Sequence, residues 1–157
     1  MTYAPLDPSD VVVLFADLQA GIIELGTTNE LARLRRAVSA LAKLARLFDI
    51  PAIVTTAPAE GGTARVTPEI AAALGELPQY MQTTTDAFLH APTRDAIART
   101  GRATLLVAGV ATEIVVQHSA LSARRADFRC RLWSTPAAAF PHARKMRRSA
   151  DSPRRGS

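Results

Sequence analysis

The chain has 157 residues, 48% hydrophobic and 21% charged, which is the composition of an ordinary globular domain and excludes a disordered or disulfide-stapled chain. Its only cysteine, Cys130, excludes an internal disulfide and fits a reducing compartment. The whole net charge of +5 belongs to residues 141–157, whereas residues 1–140 carry thirteen basic and thirteen acidic groups, so the body is not a basic nucleic-acid-binding domain.

The first half of the chain predicts two short buried strands separated by a long helix. Residues 10–17 and 51–57 are apolar runs rich in valine or threonine, typical of strands buried in a parallel sheet. Between them, residues 27–49 predict an amphipathic helix that Thr28 or Asn29 caps. The apolar stripe of this helix consists of Leu31, Leu34, Val38, Leu41, Ala45 and Phe48.

The middle of the chain predicts two short helices around a weaker strand. After a loop at 58–66, residues 67–77 predict a helix with Thr67 as its cap and Pro68 at its first position. Residues 78–88 are β-prone and predict the third strand. Residues 91–101 predict the next helix, which Gly101 ends.

The remaining elements continue the alternation. Residues 103–109 and 128–134 predict the fourth and fifth strands, and residues 112–126 predict the helix between them. A last helical turn at 135–148 would be interrupted by Pro141.

This pattern predicts an α/β fold: a three-layer, doubly wound parallel sheet (Rossmann-like) of five or six strands with helices on both faces. We expect residues 1–140 to form that domain and residues 141–157 to form a basic, flexible tail.

The fold also predicts where a site would lie. Doubly wound sheets bind ligands at the carboxyl ends of their strands, where the strand order reverses. That position brings together Asp17, the 78–88 segment and the turn at 109–112. A carboxylate such as Asp17 at the rim of an apolar sheet suits general acid–base chemistry, although it could equally cap the following turn.

Four stretches carry a family resemblance: LFADLQAGIIEL (14–25), IPAIVTTAPAEG (50–61), DAFLHAPTRDAIARTGRATLLVAGV (86–110) and LLVAGVATEIVV (105–116). Together, in this order and spacing, they resemble the isochorismatase-like cysteine hydrolase superfamily over residues 10–140. The resemblance implies a hydrolase that acts on a small organic molecule without a cofactor. It also implies self-association, because family members are often dimers or larger.

The resemblance implies a substituted catalytic triad. The aspartate of the family falls on Asp17, its lysine on Gln82 and its cysteine nucleophile on Val115. Members that split isochorismate also lack the cysteine, and use the aspartate to protonate a vinyl ether. The positions that would contact substrate are Gln19, Ala111 and Thr112.

Two functional hypotheses therefore stand side by side. Either Asp17 performs acid–base chemistry without a thiol, or the chain is an inactive relative that binds a small molecule or forms an oligomer. Nucleic-acid binding through the basic tail is disfavoured because no aromatic residues are interleaved with its charges.

Other residues receive structural interpretations. Cys130 is predicted to fill the core, and His118 and Ser119 lack the third group of a hydrolytic triad. The His and Cys spacing predicts no metal site. Neither a membrane span nor a signal peptide is evident, so we expect a cytoplasmic protein without a membrane partner.

Overall fold

The computed structural model describes residues 5–24, 30–59, 64–110 and 112–133, without the side chains of Thr112 and Glu113. The five strands are β1 (Val11–Ala16), β2 (Ala52–Thr56), β3 (Gln79–Met81), β4 (Thr104–Gly109) and β5 (Arg129–Trp133). The helices are α1 (Leu31–Leu47), α2 (Pro68–Leu74), α3 (Ala91–Arg99) and α4 (Gln117–Arg125), with a 3-10 turn at Pro8–Asp10 and a π-helical turn at Thr112–Val116.

The strands form one parallel sheet in the order β3-β2-β1-β4-β5. This arrangement confirms the predicted α/β doubly wound fold. Strand β1 lies in the centre and is buried along its whole length. Its last residue, Ala16, pairs with Thr55 on one side and with Gly109 on the other, so the ends of β1 and β4 lie level with each other.

Helices cover both faces of the sheet. Successive side chains of a strand point to opposite faces, so β1 contributes to the packing on both. Val11, Val13 and Phe15 pack in a core that also contains residues of α1 and α2. Val12, Leu14 and Ala16 pack in a second core with residues of α3 and α4. The continuous apolar run of β1 therefore serves two cores at once, as expected for a central parallel strand.

The ends of α1 differ from the prediction. Glu30 occupies its N-cap without a side-chain hydrogen bond, and the predicted caps Thr28 and Asn29 lie outside the described residues. The prediction that Phe48 belongs to the buried stripe is wrong. The helix ends at Leu47, and Phe48, at its C-cap, is 51% exposed.

The third strand is shorter than predicted. Only Gln79–Met81 pair with β2, and residues 82–88 continue as a loop held by side-chain hydrogen bonds. At the other edge, β5 is largely exposed and Cys130 is only partly buried, against the second core. Burial raises the pKa of the Cys130 thiol, which keeps it in the unreactive protonated form. The predicted helical turn at 135–148 lies outside the described residues.

Candidate functional site

The site begins where the strand order reverses. From β1 the sheet extends through β2 on one side and through β4 on the other, so a crevice is expected beyond their carboxyl ends. Asp17 is the first residue after β1, and its backbone is left-handed, with φ of 53°. Aspartate tolerates this conformation better than most residues. The Asp17 N–H still donates to Thr55 O at 3.2 Å, so the chain turns while tethered to β2.

The Asp17 side chain accepts hydrogen bonds from a residue of β2 and from the residue that follows β3. Its Oδ1 accepts from Thr55 Oγ1 at 3.0 Å and from Gln82 Nε2 at 3.1 Å. Gln82 is brought there by its backbone N–H, which donates to Thr56 O at 2.9 Å immediately after β3. We refer to Asp17, Thr55 and Gln82 as the Asp17 cluster. Gln82, which the resemblance assigns to the family's lysine, is thus in contact with Asp17.

The Asp17 cluster is buried and holds no positive charge. Asp17 is 9% exposed, Gln82 1% and Thr55 0%. Burial raises the pKa of Asp17, and the hydrogen bonds from Thr55 and Gln82 offset only part of that rise. Within the described residues, Asp17 forms no ion pair. The carboxyl group therefore stays protonated to a higher pH than an exposed aspartate.

Thr55 was missed at the sequence level. A threonine in a β-prone run is usually interpreted as strand filler, and nothing in AIVTT distinguishes Thr55 from Thr56. Only the parallel register of β1 with β2, which sets Thr55 beside Ala16, identifies it as a partner of Asp17.

On the β4 side of β1, backbone and apolar side chains approach each other closely at Gly109. A Cβ atom on Gly109 would lie 2.7 Å from Val116 Cγ2 and 2.9 Å from Ala16 O. Glycine is therefore required where β4 passes β1 and enters the π-helical turn. Val115, which the resemblance assigns to the family's nucleophile, is 4% exposed and belongs to the second core with Ala16 and Ala87. The side chain of Val115 is thus part of the apolar packing beside the end of β1.

Of the three predicted substrate contacts, the structure describes the side chain of Gln19 only. Gln19 is fully buried, donates to Ala57 O at 3.0 Å and accepts from Ala57 N at 2.7 Å. These bonds tie the turn after β1 to the end of β2, so the contacts favour an anchoring role for Gln19. Ala111 lies outside the described residues, as does the side chain of Thr112.

A polar network holds the loop after Gln82 against α4. Asp86 accepts from Phe88 N at 2.9 Å and from Ser122 Oγ at 2.5 Å. Ser119 Oγ, fully buried, accepts from Ala87 N at 3.0 Å. Ser119 is therefore a structural residue, in keeping with its sequence interpretation. The contact between Asp86 and α4 was not anticipated, because it joins residues 36 positions apart.

His118 takes part in the same contact between loop and helix. Its Nδ1 lies 2.9 Å from Thr85 Oγ1, and both residues are exposed. Among the described residues, no group of three His, Cys, Asp or Glu side chains is arranged to hold a metal ion. Nor does any described helix have both the length and the apolar character needed to cross a membrane.

A doubly wound sheet with a buried acid at its switch point defines an α/β protein with a candidate site at the carboxyl ends of its strands. The model of the isochorismatase domain matches residues 11–148, and the chain belongs to that family. The match includes the predicted domain from β1 onward and eight residues of the predicted tail; the boundary at residue 140 stays a prediction.

Escherichia coli YcaC is similar to this chain both in sequence and in structure. The protein named "Probable hydrolase YcaC" from Escherichia coli K12 is 34% identical over 127 residues, which are 80% of this chain and 61% of that protein. The chain thus spans about three-fifths of this curated relative. The crystal structure of Escherichia coli YcaC, described as an octameric hydrolase of unknown specificity, superposes with a TM-score of 0.81 and 31% identity over 96% of this chain and 73% of that one.

YcaC from Pseudomonas aeruginosa, solved with hexane-2,5-diol and covalent acrylamide, gives a TM-score of 0.80 and 29% identity. The alignment covers 95% of this chain and 75% of that chain. An isochorismatase from Pseudomonas putida, at 19% identity and a TM-score of 0.73 over 96% of this chain and 89% of that one, shares the fold.

Proposed function

We propose that the protein is a hydrolase of the isochorismatase family in which Asp17 acts as the general acid and base on a small organic substrate, without a thiol nucleophile. The observation that carries the proposal is the Asp17 cluster: a buried carboxyl group at the switch point, with no cation in contact among the described residues. The relationship to YcaC supports the hydrolase class.

The chemistry follows from the protonation state of Asp17. In its acid form, Asp17 donates a proton to the terminal carbon of a vinyl ether, which leaves an oxocarbenium ion. Water adds to that ion, the hemiketal collapses to a ketone and an alcohol, and the proton lost by the water returns to the Asp17 carboxylate. Thr55 and Gln82 hold the carboxyl group in position through both states. Acid–base catalysis of this kind contributes about 10²–10⁴-fold to a rate.

The test compares Asp17→Asn with Asp49→Asn in the hydrolysis of simple vinyl ethers. Asp49 is a matched control, because it also has a left-handed backbone (φ of 51°) but is exposed. We expect Asp17→Asn to reduce kcat by about 10²-fold or more and Asp49→Asn to leave it unchanged. Wild-type activity should fall as the pH rises through the raised pKa of Asp17. Equal turnover by wild type and Asp17→Asn would refute the proposal.

A second candidate is a non-catalytic relative that binds a small molecule. It is favoured by the burial of Val115 and by the neutral amide at the lysine position. The double variant Gln82→Lys/Val115→Cys separates the two. This candidate would be supported if the double variant gained amidase or nitrilase activity while wild type did not hydrolyse vinyl ethers. The pocket would then be intact and only the catalytic residues lost. An inactive double variant beside an active wild type would exclude this candidate.

A further inference from the structure

The amide of Gln82 is satisfied on one side only. Its Nε2 lies within 3.1 Å and 3.4 Å of the two Asp17 carboxylate oxygens and 3.3 Å from Thr55 Oγ1. Its Oε1 is buried and has no hydrogen-bond partner in the described part of the chain. Of the four such side-chain atoms there, it alone belongs to the Asp17 cluster. A buried amide oxygen without a partner is costly, so it calls for a donor.

The orientation of this amide follows from its neighbours. A flipped amide would set Oε1 against Thr55 Oγ1, whose only hydroxyl proton is donated to Asp17, and against Asp17 Oδ1, which accepts that proton. The hydrogen-bond network therefore assigns Nε2 to Asp17 and leaves Oε1 on the other side of the amide. The second carboxylate oxygen, Oδ2, has only the 3.4 Å contact with Gln82 Nε2 among the described residues, so the cluster has acceptor capacity to spare.

We propose that Gln82 determines ligand specificity: its Oε1 accepts a hydrogen bond from the N–H or O–H group of an uncharged ligand bound beside Asp17, and the site discriminates against carboxylates. The inference rests on the proposed function in placing the ligand at Asp17, but it does not require turnover. A lysine at this position would present three donors, a positive charge and no acceptor, and would favour an anion. Glutamine presents an acceptor without charge, beside a carboxyl group that repels anions when it is ionised.

The test measures binding of benzamide and benzoate, which have the same ring and nearly the same shape but differ in charge and in donor groups. Ligand-detected NMR titrations of the full chain at pH 7 give each Kd. We expect wild type to bind benzamide about tenfold or more tightly than benzoate, because benzoate would leave the Gln82 oxygen unpaired. Gln82→Lys should reverse the preference. Gln79→Lys, the same charge change at an exposed residue of β3, should keep it.

Gln82→Met provides a second variant of similar length with neither donor nor acceptor, and should lose the preference. Thermal unfolding by circular dichroism confirms that each variant is folded; if none folds, the wild-type pair of Kd values decides by itself. Benzoate binding as tight as benzamide, or no saturable binding of either ligand, would overturn the inference, since a buried water would then satisfy the oxygen. Because binding is measured apart from turnover, this failure is distinguishable from failure of the Asp17→Asn test.

Discussion

The surroundings of the Asp17 carboxyl group favour its protonated form over its ionised form. Burial is the largest influence on its pKa, and the hydrogen bonds from Thr55 and Gln82 compensate only in part. A group whose pKa is higher in the folded than in the unfolded chain makes the protein less stable as pH rises between those two values. The ionised form of Asp17 therefore destabilises the native state above its raised pKa, which is the cost of holding an acid at the switch point.

This cost predicts that Asp17→Asn stabilises the protein at pH 7. Asparagine keeps the acceptor for Gln82 and tolerates the left-handed backbone, but carries no charge. We expect its Tm to exceed that of wild type by about 2–4 °C, the change that 1 kcal/mol produces in a domain of this size. The difference should shrink as pH falls towards the unfolded pKa of about 3.9.

Calorimetry of wild type, Asp17→Asn and Asp49→Asn between pH 4 and pH 8 checks this expectation. Asp49→Asn should track wild type at every pH, since its carboxyl group is exposed. A Tm for Asp17→Asn below that of wild type at pH 7 would contradict it.

At the scale of single elements, the close approach at Gly109 should be sensitive to volume. A methyl group there would lie 2.7 Å from Val116 Cγ2 and 2.9 Å from Ala16 O, and the second of these is backbone that cannot rotate away. We expect Gly109→Ala to lower the free energy of unfolding by about 1–3 kcal/mol. Urea unfolding should show Val116→Ala in the same chain restoring only part of the loss, because the contact with Ala16 O remains. An unchanged free energy in Gly109→Ala would show that β1 and β4 are less tightly apposed.

The contact between α4 and the loop after Gln82 predicts a second effect. Ser119→Ala would leave the buried Ala87 N–H without its acceptor, at a cost of about 1–3 kcal/mol in the free energy of unfolding. Ser39→Ala, a half-buried serine on α1, is the matched control and should change stability by less than the Ser119 variant. Chemical unfolding compares the two. Equal effects would mean that Ser119 does not secure the loop.

The elements were more predictable than the contacts between them. Burial explains the apolar runs of β1 and β4 and the three- and four-residue spacing of apolar residues in α1. Each of these patterns can be recognised within its own segment of sequence. The place of Asp17 at the end of β1 was predictable because LFADLQAGIIEL resembles a family motif, whereas Gln82 was assigned from a loosely aligned segment. Thr55 and Asp86 were not, since their roles depend on a strand register and on a loop that meets a helix 36 residues later. Phe48 was misplaced because the apolar spacing continues past the end of its helix.

For the whole molecule, the exposed edge of the sheet predicts self-association. Leu132 and Trp133 on β5 are 48% and 36% exposed. Within the described residues β5 pairs on one side only, and an edge strand offers backbone groups to a partner. Light scattering after gel filtration should give a mass that is a multiple of 16.8 kDa. Leu132→Lys should lower that mass, whereas Leu89→Lys, at a 68% exposed loop residue, should not. A monomeric wild type would contradict the expectation.

The central place of β1 has a consequence for synthesis of the protein. Residues 11–16 are translated before both of their neighbours, and one of these, β4, is not translated until residues 104–109. At about 5–20 residues per second, roughly 5–20 s pass between the two segments. Throughout that interval a fully apolar strand has one open side, which makes the nascent chain a natural client for a ribosome-associated chaperone.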